Sequence, residues 1–249
     1  MVVLKNAREI KEMAEACQMS NAALWVAEPY IRPGVTTKEL DHVIHKFIVQ
    51  AGGKPSFLGL YGFPASACIS LNNEVIHGIP STSVILKDGD IVKIDVGAFY
   101  NGFNGDNAYT FQVGTGSEEA DRLRKVTEEC LYRAIEQAKP GNRIGDISHA
   151  VQEHAESFGY GVVRDFVGHG VGRKLHEDPE VPNFGKEGRG VRLVPGMTLA
   201  IEPMINQSGT GVKTLENGWT VVTQSGSLSA HFEHTVVITE DGAKILTVK

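Results

Sequence analysis

Between residues 91 and 113 the chain reads IVKIDVGAFYNGFNGDNAYTFQV, with apolar side chains recurring at every second position. Val92, Ile94, Val96 and Ala98 share one face, and Asn107, Tyr109, Phe111 and Val113 form a matching, mostly apolar row further on. A period of two marks strands with one buried face. Asn101-Gly102 divides the two runs, and this dipeptide favours a type I′ turn, which needs positive φ at both central residues. The turn predicts that Tyr100 faces Phe103, Gly97 faces Asp106 and Asp95 faces Ala108. Asp95 and Asp106 then become diagonal neighbours on one side of the hairpin, about 7 Å apart at the backbone. A slip of one residue would send them to opposite faces. Two carboxylates held together away from water must share a proton or bind cations.

A helical period is expected over 5–28, 37–51, 117–138 and 145–158, with IRPGVTTKELD and KPGNRIGD breaking each pair and Thr37 as the N-cap of the second helix. The two pairs match at one spacing: Pro33 and Gly34 with Pro140 and Gly141, Leu40 with Ile147, Ile44 with Val151, and Gly52 with Gly159, each 107 positions apart. Helix, Pro-Gly turn, helix and glycine is a common order in proteins. Agreement of several positions at a single spacing points instead to an internal duplication, with α/β halves at roughly 1–113 and 114–249 packed about an approximate two-fold axis. The period is too long for a solenoid. Further strands are expected at ACISL (67–71), GVVRDFVG (161–168), MTLAIEP (197–203) and HFEHTVVIT (231–239), and a long functional loop at 177–196. No linker-like stretch divides the halves. The expected fold class is therefore α/β in the α+β sense, one domain over 1–249 with a mostly antiparallel sheet and helices on its outer face.

At 249 residues the chain can bury a sizeable core. Its net charge of −6 argues against nucleic-acid binding through bulk charge. Cys17, Cys68 and Cys130 are odd in number and widely spaced, which suggests neither a disulfide framework nor a zinc knuckle and fits a reducing compartment. The first residues alternate charged and apolar types without a signal-peptide block, and no apolar run reaches the ~18 residues of a membrane span. A cytoplasmic protein with no membrane partner is expected, and nothing requires more than a monomer.

The remaining strands carry more acids. Met197, Leu199 and Ile201 share a face while Glu202 ends the strand on the other; Phe232, His234, Val236 and Ile238 alternate with His231, Glu233, Thr235 and Val237. A single such Glu is usually a solvent-facing strand position, but four acids in four core-like strands are harder to treat that way. The segment FVGHGVGRKLHEDP adds His169 and His176 among glycines. Asp95, Asp106, His169, Glu202 and Glu233 together would form an oxygen-rich site with about four negative charges, which two divalent cations would balance. Such donors favour manganese, iron(II), cobalt or zinc. Two ions could bridge a water, lower its pKa toward roughly 7 and polarise a carbonyl.

The segments DVGAFYNGFNGDNAYTF, GHGVGRKLHEDPEVPNF, TLAIEPM and HFEHTVVIT, with CISLNNEVIHGIP, closely resemble the type I methionine aminopeptidases, and the resemblance covers nearly the whole chain. It implies the pita-bread fold, two pseudo-symmetric α/β halves around a dinuclear metal site. It implies removal of the initiator methionine from nascent chains whose second residue is small and uncharged, with a metal-bridging water as nucleophile. By this resemblance Asp95 binds one metal in bidentate fashion, Asp106 and Glu233 bridge both, and His169 and Glu202 complete the shells. Glu202 also moves a proton. His77 contacts the substrate near the scissile bond, and His176 stabilises the oxyanion. Phe63, Cys68 and Trp219 match positions lining the methionine pocket, where a soft apolar wall suits a thioether. Ile76 and Leu175 depart from residues common in relatives and bear on the pocket's shape. Nascent N-termini are the implied partners; ribosome contact belongs to the family role, and no residue here indicates it. The alternatives are a catalytically dead peptide-binding module of the same fold, a proline-directed or creatinase-like hydrolase, and a two-metal phosphoryl-transfer enzyme. The ligands are all present, no extra N-terminal domain is evident, and no phosphate loop accompanies the acids.

Overall fold

The computed structural model describes residues 1–248. Four α-helices, α1 (Ala7–Trp25), α2 (Thr37–Gln50), α3 (Glu118–Gln137) and α4 (Ile144–Ser157), accompany fifteen strands. In the first half these are β1 (Lys54–Pro55), β2 (Ala67–Leu71), β3 (Glu74–Ile76), β4 (Ile91–Tyr100) and β5 (Phe103–Gln112). The second half supplies β6 (Gly161–Val162), β7 (Gly168–Gly170), β8 (Glu177–Val181), β9 (Thr198–Ile201) and β10 (Met204–Asn206). It ends with β11 (Val212–Thr214), β12 (Val221–Thr223), β13 (Ser229–His231), β14 (Glu233–Thr239) and β15 (Gly242–Ile245).

The hairpin of β4 and β5 has the expected register: Tyr100 pairs with Phe103, Gly97 with Asp106 and Asp95 with Ala108. Asn101 and Gly102 both have positive φ, at 49° and 85°. The main sheet has the order β1-β4-β5-β14-β9-β7-β8, with β2 added beside β4 and β15 beside β14. Its described pairings are antiparallel. Two three-stranded sheets, β13-β10-β6 and β11-β12-β3, flank it.

The helices bury apolar faces against these sheets. Val92, Ile94, Val96 and Ala98 of β4 pack with Leu40, Ile44 and Ile48 of α2, while α3 and α4 share a second core with Leu199, Ile201, Val236 and Ile238. α2 and α4 start 107 positions apart, at Thr37 and Ile144, and end the same distance apart, at Gln50 and Ser157. The cap of α2 is Thr36 rather than Thr37: its side chain accepts from the Glu39 backbone, and the Glu39 carboxylate accepts from the Thr36 N–H. Thr37 instead exchanges hydrogen bonds with Ser81.

α1 lies so close to β5 that a Cβ on Gly105 would meet the backbone N and Cα of Cys17 at 2.4 Å. Backbone cannot yield as a flexible side chain does. Gly105→Ala is expected to destabilise the fold by about 3 kcal/mol, read as a lower urea midpoint; an unchanged midpoint would mean that α1 is free to shift.

Three expectations need correction. The run at 231–239 is not one strand: His231 ends β13 in a small sheet, and Glu233–Thr239 form β14 of the main one. Residues 161–168 do not form one strand: Gly161–Val162 belong to a small sheet and Gly168–Gly170 to the main one. The 177–196 loop opens with β8, an edge strand containing Pro179. Proline reads as loop, yet an edge strand has one unpaired side and can accommodate it.

Candidate metal centre and substrate cleft

Asp95 and Asp106 project from β4 and β5 toward one cavity of about 870 Å³, which is also lined by His169 of β7, Glu202 just beyond β9 and Glu233 at the start of β14. The sheet order makes these strands consecutive neighbours. Single ligand atoms of Asp106, His169 and Glu233 lie within 4.8 Å of one another. The Nε2 of His169 is 3.7 Å from Asp106 Oδ2 and 3.6 Å from Glu202 Oε1. Its Nδ1 is 2.8 Å from the Gly170 carbonyl. A carbonyl can only accept, so Nδ1 carries the proton and the Nε2 lone pair faces the acids. Asp106 is fixed through its backbone: its N–H donates to Thr235 Oγ1 at 3.2 Å, and that hydroxyl donates to the Asp106 carbonyl at 2.7 Å.

The acids fit a cation. Asp95 Oδ1, Asp106 Oδ1 and Glu233 Oε1 are buried without a hydrogen-bond partner. Oxygens so placed are costly unless something positive or protonated meets them. Burial raises all four carboxyls. Asp106 rises to about 7. Asp95 rises well above the usual range through burial and then the Asp106 charge. Glu202 and Glu233 rise similarly, from burial and then from the neighbouring acids. Each folded-state value exceeds the unfolded one. The stability these groups confer on the metal-free fold is therefore fully present below about pH 4 and is lost as pH rises through the folded values. Cation binding must displace those protons. The thermal stabilisation given by manganese over a chelator-treated sample should thus widen from pH 6 to pH 8. Scanning calorimetry at several pH values checks this, and a constant difference would remove the carboxyls from the metal site.

The histidines are neutral for the same reason. Burial lowers His77 and His169 to about 4, each with a smaller contribution from His176, and lowers His176 itself. The His169 and His176 rings meet edge-on with centroids 4.5 Å apart, and Tyr61 lies parallel to His176 at 6.2 Å. His77 has φ 58°, a left-handed conformation uncommon outside glycine and asparagine that aims its ring between Phe166 and Trp219. Gly78 follows because a Cβ there would meet the Ile69 carbonyl oxygen at 2.2 Å. Next to His176 in sequence, Glu177 Oε2 forms an ion pair with Lys5 Nζ at 2.6 Å, both side chains buried.

Phe63, Cys68 and Trp219 meet in one apolar cluster beside the acids, with the Phe63 and Trp219 rings edge-on at 5.1 Å. Leu175 stands in its wall, and so do Phe57 and Leu60, which the sequence did not single out. Ile76 lines the same cavity. All ten candidate positions thus face one cleft. The sequence reading also passed over His231, 1% exposed and lowered to about 3 chiefly by burial, whose Nε2 is 3.5 Å from Glu202 Oε2.

Four buried acids on neighbouring strands and their ends, a cavity and neutral imidazoles define a metal-dependent hydrolase site, and residues 11–240 match the model of metallopeptidase family M24. The chain belongs to that family. A curated relative from Clostridium perfringens, called methionine aminopeptidase, is 56% identical over 248 residues, covering 100% of this chain and 99% of its own. The solved methionine aminopeptidase of Thermotoga maritima is 47% identical and superposes with a TM-score of 0.98 over 100% of both chains. A prolidase from Pyrococcus furiosus is more distant, at 28% identity and a TM-score of 0.81, and this chain covers 66% of it. The architecture is the pita-bread fold that these proteins share. Among the described residues no helix is long and apolar enough to cross a membrane.

Proposed function

We propose that this chain hydrolyses the peptide bond after an N-terminal methionine on nascent proteins, preferring a small, uncharged second residue. The observation that carries the reading is one cavity holding both partnerless buried carboxylate oxygens and an apolar pocket walled by Phe63, Cys68 and Trp219. Asp95, Asp106, His169, Glu202 and Glu233 would hold two divalent cations, whose charges balance the four acids. Manganese, iron(II), cobalt and zinc all suit such donors. When bound, the cations supply Lewis-acid polarisation of the scissile carbonyl and a water acidic enough to lose its proton near neutral pH. Glu202, on the wall of the same cavity, would take that proton. His176, neutral, donates an N–H toward the carbonyl oxygen as charge develops there. His77 orients the substrate beside the scissile bond. The thioether packs against the soft and aromatic wall, where Leu175 and Ile76 set the shape. We read residues 1–249 as a single catalytic domain, with the halves 1–113 and 114–249 as an internal repeat, and as a monomer of the cytoplasm; ribosome contact stays with the family role.

The test is mass-spectrometric product analysis of Met-Ala-Ser, Met-Leu-Ser and Ala-Pro-Ser peptides, using chelator-stripped protein supplied with manganese or cobalt. Metal-dependent release of methionine from the first peptide alone is expected. Cleavage of Ala-Pro-Ser would move the assignment to the prolidase-like side of the family. Silence on all three with metal bound would leave a peptide-binding module.

A further inference from the structure

We propose that His231 is a positioning residue for Glu202: its Nε2–H donates to Glu202 Oε2 and fixes the rotation of that carboxylate, leaving Oε1 for the cation. The inference rests on the reading of Glu202 as ligand and base. Glu202 stands between two imidazoles, with Oε1 3.6 Å from His169 Nε2 and Oε2 3.5 Å from His231 Nε2. The two rings face opposite oxygens and can do different work. His169 shows its lone pair to the acids, because its Nδ1 proton is committed to the Gly170 carbonyl. His231 Nε2 is fully buried and has no hydrogen-bond partner. A neutral imidazole has one N–H. With the proton on Nε2, the ring presents an N–H to Glu202 Oε2 at 3.5 Å; with the proton on Nδ1, a lone pair would face the ionised carboxylate that cation binding requires.

The backbone around His231 is built to hold it there. Thr110 Oγ1 donates to the His231 carbonyl at 2.6 Å and accepts the His231 N–H at 3.0 Å. β13 pairs with β10 so that His231 lies opposite Met204, and the next N–H, of Phe232, donates to the Pro203 carbonyl at 3.4 Å. His231 is therefore registered against the segment that starts at Glu202. The Thr110 clamp repeats the one by which Thr235 holds Asp106, so a cavity acid and this histidine are fixed by the same device. A carboxylate ending a strand turns freely about its last bond, and groups that orient metal ligands govern how well the ligands bind.

Two measurements on the full chain decide the matter. Long-range ¹H–¹⁵N NMR of the zinc-loaded protein, in which Glu202 is ionised, should show His231 neutral with its proton on Nε2; a proton on Nδ1 overturns the proposal. Calorimetric titration with manganese should show His231→Leu weakened about 10- to 100-fold, and His231→Gln, which keeps an N–H donor, within about 3-fold of the parent. Unchanged affinity in His231→Leu overturns the role, and so does an equal loss in both variants, which would signify packing alone. If His231→Leu does not fold, a loss above 10-fold in His231→Gln, or the wrong tautomer, still overturns it. Glu202→Ala is titrated alongside. Undiminished affinity there would refute Glu202 as a ligand, a failure separate from that of His231 because the tautomer is read by NMR and not from affinity.

Discussion

Asp106→Ala should yield a folded protein that holds no stoichiometric metal and loses at least ~10³-fold in kcat/KM, since Lewis-acid stabilisation supplies several kcal/mol of the barrier reduction. Asp106 sits at the centre of the acids. Its charge contributes to the raised pKa of Asp95, Glu202 and Glu233 alike, and it belongs to the compact group with His169 and Glu233. Removing it takes away one of the three groups placed to hold an ion and also relieves like-charge repulsion among the rest. The metal-free variant should therefore be more stable at pH 8 than the metal-free parent, even as it loses activity. Elemental analysis and thermal unfolding check the two halves of this prediction. Unchanged metal content would refute the ligand assignment.

The second large effect is on turnover alone. His176→Ala should lower kcat by about 10²- to 10³-fold while KM stays within a few-fold, because a donor aimed at developing charge acts mainly in the transition state. His176 is held between the His169 edge and the Tyr61 face, with the buried Lys5–Glu177 pair anchoring the following residue. Steady-state kinetics on Met-Ala-Ser separates the parameters. A rise in KM at constant kcat would make His176 a binding residue. Manganese content should be unaltered in this variant, which distinguishes it from a ligand substitution.

The candidate ligand positions were legible because an acid in an alternating apolar strand is a local anomaly: Asp95 and Asp106 stand out only 11 positions apart, and the Asn101-Gly102 turn sets their register. His231 carries no such mark. A histidine at a strand end is ordinary, and its meaning depends on β10 lying across from it, a pairing between distant segments that no local pattern encodes. β3 and β10 to β13 are three residues each, too short to show a period. Phe57 and Leu60 look like common core residues beside a glycine-rich turn; only the convergence of separate loops makes them a pocket wall. The run at 161–168 misled for a different reason: its valines and Phe166 read as strand, yet Arg164 and Asp165 fall between Gly161–Val162 and Gly168–Gly170, which belong to different sheets.

The order of the main sheet has a consequence for the birth of the protein. β14, which carries Glu233, lies between β5 and β9 and joins the strands bearing Asp95 and Asp106 to those bearing Glu202 and His169. It is also the last strand but one to be synthesised. A growing chain can form its first hairpin early, yet the sheet stays split at its middle until nearly the whole polypeptide has emerged. On the proposed ligand set, an enzyme that trims newborn proteins comes into the world inert, and a copy truncated before its final strands is expected to be silent from the start.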